Sequence, residues 1–257
     1  MDIEEVSVPL AGLPAAFDGF RIALASDIHF GRLVPLAYVR HVVRLIRSRR
    51  PDVVLLCGDT VSRGTRAVHA LGAVLGELAA ELPVLAVMGN HEYFGQTAYS
   101  LDMFRQAGID VLVNRHHLLE RPQHGGKQPP PWHPERPARL AIAGVDDLQR
   151  GKPDFAATLG QVPPGTCMIL AGHSPDLADQ VPPSCRVDLM LAGHTHGGQI
   201  NLLGWRPVVC VRNRKYVRGL VQCPRFPMYI SRGLGLTGLA IRLGSPPELP
   251  IITLRTP

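Results

Sequence analysis

Val84-Leu85-Ala86-Val87-Met88-Gly89-Asn90-His91-Glu92 joins five apolar residues directly to a glycine and three polar residues able to bind metal or move protons. A short apolar run bounded by a turn signal reads as a buried strand, here Val84 to Met88. The polar cluster stands just past the strand's carboxyl end, where ligands gather in open α/β sheets. Four other segments repeat the arrangement. Strand Arg21 to Ala25 runs into Asp27-Ile28-His29, and Val53 to Cys57 into Gly58-Asp59. Met168 to Ala171 precedes Gly172-His173, and Leu189 to Ala192 precedes Gly193-His194-Thr195-His196. Glycine directly before the polar residue in four of the five segments allows tight turns and close backbone approach. On extended backbone, the alternation in Asp-x-His and His-x-His would send both side chains to one side.

Between these strands lie longer amphipathic segments. Leu36, Val39, Val43 and Ile46 recur at helical spacing within Leu36 to Arg50, and Pro51 stops that helix. Val68, Leu71, Leu75 and Leu78 form a second helical stripe, and Gln96 to Ala107 reads as a third helix. Such alternation is the pattern of βα units. After Gly108 the strands shorten: Ile109 to Val113, Leu118 to Glu120 and Leu140 to Ala143, with later strands at Met228 to Ser231 and Ile251 to Leu254. Arg121 to Pro137, rich in proline and glycine, reads as a loop. We expect one α/β domain spanning residues 1–257.

Composition narrows the function less than the motifs do. The 257 residues are 46% hydrophobic and carry 27 basic against 21 acidic side chains, a net +6 that suits an anionic substrate or membrane surface. Only three of the cations are lysines (Lys127, Lys152, Lys215); the arginine excess suits phosphate recognition, and a compositional bias toward arginine explains it equally well. Aromatic residues are 5% and no long basic stripe interleaves them, which argues against nucleic acid as partner. The five cysteines are scattered without a Cys-x-x-Cys pair, arguing against a disulfide framework and a structural zinc site. A reducing, cytoplasmic setting is the expectation. No apolar run reaches membrane-spanning length, which leaves peripheral contact with the inner face of a membrane open.

Carboxylate, carboxamide and imidazole together suit divalent Mn, Fe or Zn better than Ca²⁺. The five segments, in this order, resemble the calcineurin-like metallophosphoesterases over nearly the whole chain. Gly144-Val145-Asp146-Asp147, His173-Ser174-Pro175-Asp176, Gly197-Gly198-Gln199-Ile200 and Ser231-Arg232-Gly233-Leu234-Gly235 are similar to a bacterial branch. That branch holds small membrane-associated phosphodiesterases and enzymes that cleave the pyrophosphate of UDP-2,3-diacylglucosamine. The resemblance implies a four-layer α/β/β/α sandwich. It also implies that Asp27, His29 and His196 hold one metal, that Asn90, His173 and His194 hold a second, and that Asp59 bridges them. Two divalent ions follow, with Mn²⁺ preferred and Fe, Zn²⁺ or Mg²⁺ as alternatives. A hydroxide between them would attack phosphorus, and His91 would protonate the leaving oxygen.

One departure bears on the substrate. Related protein phosphatases read Gly-Asp-x-x-Asp-Arg-Gly, and the second aspartate orients the catalytic histidine. Here Ser62 stands in that place within Gly58-Asp59-Thr60-Val61-Ser62-Arg63-Gly64. Either Asp146 or Asp147 supports His91, or the histidine works without a carboxylate. A phosphodiester or pyrophosphate substrate is therefore expected ahead of a phosphomonoester or phosphoprotein. Arg63 and Arg232 are expected to contact substrate phosphate, with exposed turn arginines as the alternative. Ile200 to Trp205 could present Leu202, Leu203 and Trp205 to a lipid-linked substrate, or simply pack in the sandwich. A non-catalytic scaffold would have lost ligands, and this chain keeps all seven with His91. His41, His69, His116, His117, His124 and His133 lie outside the pattern and read as structural or surface residues.

Overall fold

Val53-Val54-Leu55-Leu56-Cys57 is apolar at every position because both faces of its sheet are covered. A computed structural model describes residues 1–62, 68–94, 97–122, 137–202 and 209–257. Among the described residues the strands are β1 (Asp2–Pro9), β2 (Arg21–Ala25), β3 (Val53–Cys57), β4 (Val84–Val87), β5 (Asp110–Val111) and β6 (Arg115–Arg121). They continue as β7 (Ala138–Gly144), β8 (Cys167–Ala171), β9 (Leu189–Ala192), β10 (Gly219–Gln222), β11 (Pro227–Ile230) and β12 (Glu248–Arg255). The helices are α1 (Leu36–Arg49), α2 (Val68–Ala79), α3 (Thr97–Gln106) and the short α4 (Phe155–Leu159).

Two six-stranded sheets result, in the orders β1-β12-β2-β3-β4-β5 and β10-β11-β9-β8-β7-β6. Neighbours from β2 to β5 run parallel, as do β7, β8, β9 and β11. Alternate side chains divide each strand between two cores. Ile22, Leu24, Val53, Leu55 and Val87 meet Leu140, Ile142, Ile169 and Leu191 between the sheets. Ala23, Ala25, Val54, Leu56 and Ala86 instead face Val39, Val43 and Ile46 of α1, Leu71 and Leu75 of α2, and Phe104 of α3. On the far side, Ala143, Leu170 and Met190 pack with Phe155, Leu159 and Leu177. Leu55 and Leu56, both fully buried, each contribute about 1.5–3 kcal/mol of transfer free energy. The layering is the expected α/β/β/α sandwich.

The predicted strands and helices recur within a few residues of the expected bounds. Three elements were not expected. β1 carries three acidic residues at the margin of its sheet, where its buried side chains are few. β10 is a four-residue edge strand, and α4 is too short to show a period. Arg63, His124, His133, Leu203, Trp205 and all but the ends of the expected 121–137 loop lie outside the described residues.

Candidate metal centre

The carboxyl ends of β2, β3, β4, β8 and β9 bring Asp27, His29, Asp59, Asn90, His173, His194 and His196 together, all buried. They do not reach one another by extended backbone, as the alternating spacing suggested. Asp27 (φ 52°), His29 (50°), Asp59 (50°), His194 (71°) and His196 (52°) are all left-handed. Non-glycine residues rarely adopt that conformation, and it clusters where surrounding structure over-determines a functional loop. The preceding glycines are demanded by close approach. A Cβ on Gly58 would lie 2.5 Å from His173 Nδ1, and one on Gly89 would lie 2.4 Å from the Asp59 nitrogen.

Two sets of ligand atoms form around one carboxylate. His29 Nε2 and His196 Nε2 lie 3.1 Å apart, with Asp27 Oδ1 at 3.4 Å from the latter. His173 Nε2 and His194 Nδ1 also lie 3.1 Å apart. Asp59 Oδ2 stands between the sets, 3.5 Å from His29 Nε2 and 3.3 Å from His173 Nε2. Asn90 Oδ1 is buried with no hydrogen-bond partner among the described residues. Inward-facing ring nitrogens, two carboxylates and an unused carboxamide oxygen together fit divalent cations. His173 is oriented for this by Nδ1–H donation to the Cys57 carbonyl at 2.9 Å.

Charge states follow from burial and neighbours. Burial pushes His29 down to about 4 against the pull of Asp59 and Asp27. It pushes His196 down to about 3 against Asp27, with His29 and Arg242 adding to the fall. Both rings are thus neutral, the form that ligates. Burial opposes the charge on Asp59, but His173 outweighs it and holds the carboxyl well below its usual range. His173 is raised in return: burial opposes its charge and Asp59 prevails.

The profile of the calcineurin-like phosphoesterase family matches residues 20–198, which carry all seven candidate ligands. The chain belongs to that family. A metallophosphoesterase of Bacillus subtilis, YkuE, is 30% identical over all of this chain and 86% of its own length. The phosphodiesterase YaeI of Escherichia coli is 32% identical over 91% of this chain and 82% of its own. Among solved structures, the Haemophilus influenzae NAD nucleotidase covers 83% of this chain and 45% of its own, at 16% identity and TM-score 0.52. At that identity the likeness speaks to the fold, and this chain spans less than half of the nucleotidase. The protein is a metallophosphoesterase, a hydrolase of phosphoester bonds with a divalent metal centre.

The other sequence expectations fare differently in this phosphoesterase. Arg232 does not face the metal cluster: its guanidinium pairs with Glu248, with Glu4 at 2.8 Å and with Asp2 at 3.2 Å. Three carboxylates already engage that cation. Ser62 spends its hydroxyl on the His29 carbonyl at 2.8 Å. Among the described residues neither proposed acid bonds His91. Asp146 accepts from the Tyr93 hydroxyl and from the Asp147 and Lys152 nitrogens; Asp147 accepts from the Gln149 and Arg150 nitrogens. The His91 ring instead packs edge-on between His29 and Phe94, at centroid distances of 4.5 and 5.1 Å.

Three residues that motif spacing did not assign hold the centre in place. Glu92 accepts from the backbone nitrogens of Asp59 (2.9 Å), Thr60 (2.7 Å) and Gly89 (2.8 Å), tying the β3 and β4 loops together. Gln149 sets its carboxamide 2.9 Å from His194 Nε2 and so fixes that ring. Arg242 donates to the carbonyls of Gly233, Gly235, His196 and Ser245 and lies 3.1 Å from His196 Nδ1. A planar donor fork can join carbonyls from three loops; an ammonium cannot copy its geometry. Arg242→Met keeps the stem and loses every one of these bonds. We expect metal affinity to fall about 10- to 100-fold, with Arg242→Lys restoring little, as read by calorimetric Mn²⁺ titration. Unchanged affinity in Arg242→Met would exclude the role.

Proposed function

We propose that this phosphoesterase hydrolyses a phosphodiester or pyrophosphate bond at a two-metal centre. The observation that carries this reading is the placing of Asp59 between two buried sets of inward-facing ligand atoms. Asp27, His29 and His196 would hold one cation, Asn90, His173 and His194 the other, and Asp59 both, with Mn²⁺ the preferred ion. Bound there, the metals supply a nucleophilic water at neutral pH and positive charge against the phosphoryl oxygens. Asp59 fixes the spacing of the two sets through its second oxygen as well, which accepts the His91 backbone N–H at 2.8 Å. His91, half-buried at the cleft, would give a proton to the leaving oxygen.

His29, Asp59, Asn90, His194 and His196 floor a cleft of about 330 Å³ whose walls include Ile200, Thr237, Gly238 and Leu239. Those apolar walls favour a substrate with an apolar part, such as a lipid-linked nucleotide of the UDP-2,3-diacylglucosamine type. The similarity to a phosphodiesterase and the absence of an acid at position 62 favour a diester or pyrophosphate over a monoester.

A direct test compares bis-p-nitrophenyl phosphate, p-nitrophenyl phosphate and UDP-2,3-diacylglucosamine, each with Mn²⁺ and with chelator. We expect Mn²⁺-dependent cleavage of the diester and the nucleotide lipid, exceeding that of the monoester. Cleavage of the soluble diester alone discards the lipid substrate. Preference for the monoester makes the chain a phosphomonoesterase. No turnover with any divalent metal overturns the catalytic reading.

A further inference from the structure

No helix among the described residues is long and apolar enough to cross a membrane, yet the exposed apolar side chains are not scattered. Seven large ones are exposed among the described residues, and four of them (Leu202, Leu239, Ile241 and Leu243) belong to two segments paired with each other. The Asn201 nitrogen donates to the Leu243 carbonyl at 2.7 Å, and the Leu243 nitrogen to Gln199 at 2.9 Å. Gln199 then staples the next turn, donating to the carbonyls of Thr237 (2.9 Å) and Leu239 (3.1 Å) and accepting from the Thr237 nitrogen (3.1 Å). Arg242 points inward to His196 while Ile241 and Leu243 on either side of it remain exposed. Leu239 lines the cleft itself. The result is an apolar lip, held by backbone hydrogen bonds, at the mouth of the metal centre.

Beside it runs a cationic segment. Cys210 lines the cleft, and the Thr195 hydroxyl donates to the Val217 carbonyl at 2.6 Å, so residues 210–218 pass along the same mouth. Arg212, Arg214, Lys215 and Arg218 are exposed within it, and none makes an ion pair among the described residues. Arg218 reaches the Gly244 carbonyl at 3.3 Å, which sets its charge against the end of the lip. The exposed acid nearby, Asp179, is engaged by the Tyr216 hydroxyl at 2.8 Å.

We propose that Leu202, Ile241 and Leu243, with Arg212, Arg214, Lys215 and Arg218 beside them, seat this protein on an anionic phospholipid surface with the metal cleft opening at the headgroups. An apolar patch bordered by cations that make no ion pair among the described residues matches both parts of such a surface: acyl boundary for the apolar side chains, phosphate for the cations. A protein partner would satisfy the apolar part and leave four neighbouring cations without a stated counterpart. The surface rests on the proposed reading of the cleft only for its purpose, since it would deliver an amphiphilic phosphoester to the metals.

Sedimentation with vesicles of phosphatidylcholine alone, and of equal parts phosphatidylcholine and phosphatidylglycerol, tests the surface. We expect binding to the anionic vesicles that weakens with salt. Arg214→Ser with Lys215→Ser should lower partitioning roughly 25-fold, about five-fold per charge. Ile241→Ser with Leu243→Ser should lower it at least about ten-fold. Both double variants should keep wild-type Mn²⁺-dependent cleavage of bis-p-nitrophenyl phosphate, which reports folding independently of lipid. Equal sedimentation of both variants with wild type overturns the proposal, as does equal binding to neutral vesicles. So does a dimer in analytical ultracentrifugation that Ile241→Ser with Leu243→Ser dissolves, or tighter binding to an oligonucleotide than to vesicles. Vesicle binding without any metal-dependent hydrolysis would keep the surface and discard the catalytic reading; hydrolysis without vesicle binding would do the reverse.

Discussion

Asp59→Asn is expected to leave a folded protein that binds at most one divalent ion and hydrolyses its substrate on the order of a thousand-fold more slowly. The substitution is nearly isosteric. The carboxamide oxygen can still accept the His91 N–H, now 2.8 Å from Asp59 Oδ1, so the β3–β4 loop contact survives. What changes is the oxygen that faces His29 Nε2 at 3.5 Å and His173 Nε2 at 3.3 Å. An amide placed there would offer a donor where the proposed centre needs a shared anion, and it would remove the charge that offsets two cations. The loop also has little room to readjust. Asp59 is left-handed at φ 50°, its nitrogen is held by Glu92 at 2.9 Å, and Gly58 and Gly89 press against it without room for a Cβ. Metal content by elemental analysis, with circular dichroism and turnover on one preparation, decides the matter. Two bound metals with retained turnover would remove Asp59 from the bridging role.

The same loops show where sequence reading succeeds and where it stops. Strands such as Val53–Cys57 and Leu189–Ala192 are buried on both faces, so each announces itself as an unbroken apolar run with glycine at its end. The convergence of the candidate ligands could be read for the same reason: a polar cluster directly after such a run has few places to go except the sheet's end. Their backbone conformation was not legible. The Asp-x-His and His-x-His spacing suits extended chain, whereas Asp27, His29, His194 and His196 converge through left-handed turns fixed by tertiary contacts. Distant partners were equally hidden. Arg242 sits alone in an apolar stretch and gains its meaning from the carbonyls of Gly233, Gly235 and Ser245 and, 46 residues away, of His196. Arg232 lies in a glycine-rich segment that invites a phosphate, yet Glu4 and Glu248, far away in sequence, take its charge. β1 escaped notice because an edge strand with three acids has no buried period to read.

His91→Ala should separate metal binding from proton transfer. The His91 contact that touches the ligands through the backbone, its N–H to Asp59, does not depend on the side chain, so both metals should stay bound. Loss of a positioned general acid typically costs 10²–10⁴ in rate, and the cost depends on how badly the leaving oxygen needs a proton. We therefore expect a fall of roughly 10²–10⁴ for an alkyl or pyrophosphate leaving group, and about ten-fold or less for p-nitrophenolate, which departs unprotonated. The alternative is that His91 only braces the centre, since its ring packs edge-on against His29 at 4.5 Å and Phe94 at 5.1 Å. Bracing predicts an equal loss for both leaving groups, together with weaker Mn²⁺ binding, because a displaced His29 disturbs the ligand set whatever the substrate. His91→Phe sharpens the contrast: it keeps an aromatic ring against His29 and Phe94 but carries no proton. If bracing were the whole role, this variant would recover most of the activity. If His91 is the acid, His91→Phe should be as slow as His91→Ala on the poor leaving group while binding metal as the wild type does.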